Sequence, residues 1–212
     1  AAFFKVYPER PCIEDLTYRD VGRMASRVGR FLRSFQKKST PVVAICARNS
    51  LEWLLVDWGC ALEGVPTVAL DPHRPFDEAL GLAKDATDAV GLPSIAAIVV
   101  DDDSPAAATG DLAVVRLADL AAAGSRTDLA SEEEAAPPPP EKKWLTCLFT
   151  SGSTGRPRPL WFDSESWHSR TTSCFEHSRA AIFAPLFHTL GRRQAWRELG
   201  YGGSIMLLNP SS

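Results

Sequence analysis

The sequence predicts an α/β domain, with mostly parallel sheets built from strand–helix–strand units and helices on the sheet faces. Three observations point there. Short apolar runs rich in Val and Ile, at residues 41–47, 65–70 and 95–100, read as buried strands. Between them, apolar residues recur at helical spacing: Leu51, Leu54, Leu55, Trp58, Ala61 and Leu62, and then Leu80 and Ala83. Each passage from strand through helix to strand takes about thirty residues, the length of a crossover that leaves its two strands parallel.

Taken in order, Thr17-Tyr18-Arg19-Asp20 resembles a capping box with Asp in place of Glu or Gln. Val21, Met24, Ala25, Val28, Phe31, Leu32 and Phe35 then form one helical apolar stripe. Arg19, Arg23, Arg27, Arg30 and Arg33 lie off that stripe and read as a solvated face. After the strand at 41–47, Asn49 is expected to cap the next helix and Gly64 to end it. Asp71-Pro72-His73-Arg74-Pro75 is a turn with an exposed His73, followed by a helix at 76–90 and a strand at 95–100. Asp101-Asp102-Asp103 closes that strand at the surface, since metal-binding aspartates are spaced so that their carboxylates converge. A strand at 112–116 and a short helix at 117–123 come next. Residues 124–143, with four glutamates and four consecutive prolines, form a flexible acidic and Pro-rich surface insertion. An apolar strand at 144–149 follows, then a polar loop, then a brief strand at Leu160-Trp161-Phe162 that pairs back onto it. Asp163 or Ser164 caps a helix reaching to about Ser178. A strand at 181–186, a helix to Leu199, a turn at Gly202-Gly203 and a strand at 204–208 complete the chain, and no internal repeat is visible.

Composition excludes several classes. With 212 residues the chain can build one good-sized core or two small ones. A net charge of −3 offers no basic surface for nucleic acid or an anionic membrane. No apolar run approaches the ~20 residues of a transmembrane segment, and the first residues lack the form of a signal peptide. Five cysteines without CxxC spacing point to buried thiols in a reducing, intracellular and cytoplasmic setting. The sequence does not start with Met and is expected to be cut out of something longer, or processed.

The chemistry gathers in Phe149-Thr150-Ser151-Gly152-Ser153-Thr154-Gly155-Arg156-Pro157-Arg158. Gly152 and Gly155 let the backbone turn tightly and approach a ligand. The hydroxyls of Thr150, Ser151, Ser153 and Thr154, together with loop N–H groups, can donate to phosphate oxygens. Arg158 adds a fixed positive charge suited to phosphate. The spacing is not that of the Walker loop.

In order and length, this stretch resembles the phosphate loop of the AMP-forming adenylating enzymes, Tyr/Phe-Thr-Ser-Gly-Ser/Thr-Thr-Gly-x-Pro-Lys-Gly. Arg158 stands at the Lys position and Pro159 at the last Gly. Three further stretches fit the family at its usual intervals: Leu16-Thr17-Tyr18-Arg19-Asp20, the Asn49-Ser50-x-Glu52-Trp53 helix with Gly64-Val65, and Pro185-Leu186-Phe187-His188 with Gly191, after which Gly202-Gly203 fits a strand start. The resemblance implies that residues 1–212 are a partial N-terminal adenylation domain. ATP and a fatty or other carboxylic acid would give an acyl-adenylate, with Mg²⁺ offsetting the phosphate charge, and a thiol of CoA or a carrier would then take the acyl group. Thr150, Ser151, Gly152, Ser153, Thr154, Gly155 and Arg158 would bind the phosphates, and His188 with Gly191 would line the acyl pocket. His188-Thr189-Leu190-Gly191-Arg192 looks most like long-chain acyl-CoA synthetases and the adenylation domains of carboxylic acid reductases. The family's Tyr-Gly-x-Thr-Glu segment, ribose-binding Asp, Mg²⁺ ligand and catalytic Lys are not among these residues, so the fragment alone is expected to be inactive. Pro159 lacks an N–H and leaves open a degenerate relative that binds nucleotide without chemistry.

Overall fold

The computed structural model describes residues 3–35, 40–108, 110–125, 145–150, 157–169 and 178–208. Two sheets carry the fold. The larger contains β3 (Val42–Cys46), β4 (Thr67–Ala69), β5 (Ile95–Val100), β6 (Ala113–Arg116), β7 (Leu145–Thr150) and β8 (Arg158–Asp163), in the order β6-β5-β3-β4-β7-β8. Its first five strands in that order are parallel, and β8 lies antiparallel to β7 at the edge. The smaller sheet, β2-β1-β10-β9, joins β1 (Pro11–Ile13) and β2 (Leu16–Thr17) to β9 (Arg179–Ile182) and β10 (Ser204–Leu207). Its pairs β1–β10 and β10–β9 are parallel.

Why β3 reads as a continuous apolar run is now plain: all five of its residues are buried, with helices on both faces. Val43 and Ile45 point to the core shared with α2 (Tyr18–Arg33), α3 (Leu51–Glu63) and α5 (Leu117–Ser125), and Val42, Ala44 and Cys46 point to the core under α4 (Phe76–Asp88). The chain also forms α1 (Phe3–Val6), α6 (Ser164–Ser169) and α7 (Thr189–Gly200). No helix among the described residues is long and apolar enough to cross a membrane.

Local sequence accounts for the helix ends. The Thr17 hydroxyl accepts the Asp20 N–H at 3.2 Å and the Asp20 carboxylate accepts the Thr17 N–H at 3.1 Å, completing the capping box. Tyr18, fully buried, donates its hydroxyl to the Gly203 carbonyl at 2.5 Å and so ties the start of α2 to the smaller sheet. Gly64 ends α3 in the left-handed region at φ 65°. Where α2 crosses α3, a Cβ on Gly29 would lie 2.3 Å from the Gly59 carbonyl oxygen, so the backbones meet directly.

Several expectations need correction. Ser50, not Asn49, caps α3, its hydroxyl accepting the Trp53 N–H at 3.0 Å. Phe31 and Phe35 are each 37% exposed and pack edge to face on one another instead of entering the core. The strand expected at 181–186 is Arg179–Ile182, because Pro185 and the turn behind it divert the chain. Ser178 is not helical, and only α6 is described of the long helix expected there. The insertion at 124–143 lies outside the described residues, apart from Gly124 and Ser125 at the end of α5. Asp101, Asp102 and Asp103 sit at the strand end as expected: Asp101 accepts the Arg48 N–H, Asp103 pairs with Arg48 at 2.8 Å, and Asp102 accepts the Ala118 N–H at 2.9 Å.

Candidate functional site

In an open α/β sheet, ligands bind beyond the carboxyl ends of the parallel strands. β4 and β7 are parallel neighbours, and at their carboxyl ends lies a pocket of about 130 Å³. Its walls are mainly apolar, from Ala69, Leu70, Leu82, Phe149, Pro157 and Phe187, with four polar residues, Asp71, Arg74, Thr150 and His188. An apolar cleft with a few convergent polar groups is the usual form of a small-molecule site.

Thr150 is the last residue of β7 and reaches the pocket where the strand ends. Residues 151–156, which include Ser151, Gly152, Ser153, Thr154 and Gly155, lie outside the described residues. Arg158 opens β8 directly across from Thr150. Directly opposed residues in an antiparallel pair share a sheet face, so Arg158 stands on the same face as Thr150, exposed and not among the pocket-lining residues. Pro159 pairs with Phe149 in this edge strand, a setting that tolerates a missing N–H.

His188 reaches the same pocket from a separate motif. It precedes α7, makes no side-chain capping bond, and its ring lies 4.3 Å from that of Phe187. The turn before it is closed by the His188 N–H donating to the Pro185 carbonyl at 3.1 Å. Gly191 is not in the lining. It is buried where α7 presses on the turn, and a Cβ there would lie 2.3 Å from the Ala184 carbonyl oxygen.

Two polar devices that sequence reading missed lie behind the turn. Asn49 is 9% exposed; its amide donates to the Ala184 carbonyl at 3.0 Å and its carbonyl oxygen accepts the Leu186 N–H at 2.7 Å. Deeper, Arg192 and Asp57 are fully buried and pair through two parallel hydrogen bonds, Nε to Oδ2 at 2.8 Å and Nη2 to Oδ1. Trp196 donates to the same carboxylate at 2.7 Å, and the Arg192 guanidinium also reaches Thr67 at 3.1 Å and lies over the rings of Trp53 and Trp167. A signal for this pair did exist: Asp57 is the single charge in the run Trp53 to Trp58, and a buried carboxylate requires a partner. Asp71 and Arg74 left no comparable trace in a turn of ordinary composition.

The four cysteines among the described residues, Cys12, Cys46, Cys60 and Cys147, belong to the cores. Burial pushes the thiols of Cys12, Cys46 and Cys147 up to about 12, and that of Cys60 well above its usual value. Among the described residues no three His, Cys, Asp or Glu side chains gather as metal ligands.

Comparison with known proteins fits this geometry. The chain is 29% identical over 187 residues, 84% of its length, to the nonribosomal peptide synthetase atnA of Emericella nidulans, and 25% identical over 205 residues to malpinin synthetase of Mortierella alpina. It spans 2% of the length of each. In structure it superposes on the N-terminal domain of FACL13 from Mycobacterium tuberculosis with a TM-score of 0.79 at 18% identity, covering 99% of this chain and 56% of that one. O-succinylbenzoate coenzyme A synthetase (MenE) of Bacillus subtilis, in complex with AMP, gives a TM-score of 0.76 at 20% identity, with 99% of this chain and 55% of that one covered. Residues 2–212 match the family described as AMP-binding enzyme, and with the strand order and the pocket at the ends of β4 and β7 this makes the chain a member of that family.

Proposed function

We propose that this chain is the N-terminal part of an adenylation domain that joins a carboxylic acid to ATP. One observation carries the reading: Thr150, from the phosphate-loop motif, and His188, from the acyl motif, line one pocket. In the reaction a carboxylate oxygen attacks the α-phosphorus of ATP, an O–P bond forms, the bond from that phosphorus to the bridging oxygen breaks, and pyrophosphate leaves. Thr150, with Ser151, Gly152, Ser153, Thr154 and Gly155, binds the departing phosphates, and Arg158 offsets their charge from the strand alongside. His188 and Phe187 form the wall against which the acid lies, and their apolar neighbours limit water there. Mg²⁺ supplies further charge compensation when bound with ATP, and it is assigned no ligand in this chain. In the second half of the reaction the sulfur of a thiol, of CoA or a carrier, attacks the acyl carbon; a C–S bond forms, the bond from that carbon to the phosphate oxygen breaks, and AMP and the thiol proton leave.

Pro159 is the residue that speaks for a relative without chemistry. Its seat in an edge strand weakens that objection, because no central ladder hydrogen bond is lost there. The test is ATP–pyrophosphate exchange by the complete protein with octanoate, palmitate, benzoate and phenylalanine. Acid-dependent exchange with at least one of them is expected. Nucleotide binding without exchange would return the reading to a non-catalytic binder.

A further inference from the structure

Asn49 follows β3 and stands where a helix cap is expected, yet Ser50 performs that task. The Asn49 side chain turns instead to a backbone segment 135 residues further on. Its carboxamide holds the turn at two points, donating to the Ala184 carbonyl at 3.0 Å and accepting from the Leu186 N–H at 2.7 Å. The next two residues, Phe187 and His188, enter the pocket. From the other side α7 closes on the same turn at Gly191, where any Cβ would lie 2.3 Å from the Ala184 carbonyl oxygen and 2.7 Å from that of Pro185. The turn is therefore held between a side chain and a helix.

We infer that Asn49 is a positioning residue for the acyl wall of the site: it fixes where Phe187 and His188 face the pocket without itself lining it. This rests on the proposed reading of the pocket as the seat of the acid. Chemistry at the position is restrictive. A carboxamide sets a donor and an acceptor side by side, and both of its partners are main-chain groups that no rotamer change can substitute. Aspartate keeps the acceptor for Leu186 but has no donor for Ala184 when ionised, and alanine has neither. The buried Leu186 N–H would then be left without this acceptor.

The experiment compares wild type, Asn49→Ala, Asn49→Asp, His188→Ala and the double variant Asn49→Ala/His188→Ala in the complete protein. Peptide-resolved amide hydrogen exchange comes first. Exchange across residues 184–190 is expected to accelerate about tenfold or more in Asn49→Ala and less in Asn49→Asp, with the remaining peptides unchanged. Pyrophosphate exchange follows, using whichever of octanoate, palmitate, benzoate and phenylalanine gives the fastest wild-type rate. Losing one buried hydrogen-bonded clamp is expected to raise KM for the acid about tenfold while KM for ATP stays within about twofold. In the His188→Ala background the Asn49 substitution should add about twofold or less, because its effect runs through the same wall.

Unchanged exchange at 184–190, or acid and ATP constants rising together, overturns the inference. Two failures remain distinct. If His188→Ala leaves the acid dependence untouched, or no acid supports exchange, the reading of the pocket falls and takes this inference with it. If His188→Ala acts on the acid but Asn49→Ala multiplies fully on top of it, only the role of Asn49 is refuted. Should Asn49→Ala fail to fold, Asn49→Asp, close to it in size and shape, is judged by the same criteria.

Discussion

On the proposed reading His188 serves the acid and Arg158 the phosphates, and single substitutions should separate them. Arg158→Ala removes a cation opposite Thr150. A lost charged hydrogen bond of this kind costs ~1.5–3 kcal/mol, roughly one to two orders of magnitude in ATP affinity or rate. His188→Ala should instead raise KM for the acid and leave ATP dependence near wild type. Titrating each substrate separately in pyrophosphate exchange checks both, and an equal effect of His188→Ala on the two substrates would contradict the assignment. The thiols give a second expectation at this scale. Cys12, Cys46, Cys60 and Cys147 are buried and held protonated well above neutral pH. Iodoacetamide at pH 8 should label them only after denaturant is added, as read by peptide mass spectrometry. Thr150 and His188, which the fold brings to one pocket, stand in ordered motifs visible in the sequence, as does Arg158, which lies outside the lining. Asn49 was misread because an Asn before an apolar helix looks like a cap, and only the fold reveals that its amide faces a turn far along the chain.

Elements carry their own tests. Losing the Thr17 cap of α2 by Thr17→Ala should destabilise the fold by about 1 kcal/mol in urea melts. Hydrogen bonds from the Thr17 hydroxyl and N–H hold the Asp20 carboxyl below its usual value of 3.8. A lowered pKa in the folded state contributes stability that is fully present above the unfolded value, and that is lost as pH falls through the folded one. The stability gap between wild type and Asp20→Asn should accordingly narrow below about pH 4. At the crossing of α2 and α3, Gly59→Ala would set a Cβ 2.3 Å from the Ala25 carbonyl oxygen. Forcing the helices apart should cost about 1–3 kcal/mol by the same melts, more than an exposed glycine would. Helices with clear caps and the two-sided strands were readable from the sequence. β1 and β2 were not, since strands of three and two residues are too short to show a period and draw their order from distant partners.

Across the whole molecule the Asp57–Arg192 pair joins α3 to α7 and reaches β4 through Thr67. Arg192→Met leaves a buried carboxylate without its cation and should cost about 3–5 kcal/mol in guanidinium titrations. Replacing both partners with apolar residues should recover a large part of that loss, since the pair's own desolvation is removed with it.

The smaller sheet has a consequence for synthesis. β1 and β2 leave the ribosome well over a hundred residues before β1's ladder partner β10 and the neighbouring β9. The larger sheet draws β3, β4, β5 and β6 from one continuous stretch and can assemble first, while the opening segment waits with Cys12 and Ile13 uncovered. Such a delay leaves this apolar segment without its ladder partner until residue 207 has emerged. In pulse-labelling exchange, amides of β3 and β5 should become protected before that of Ile13.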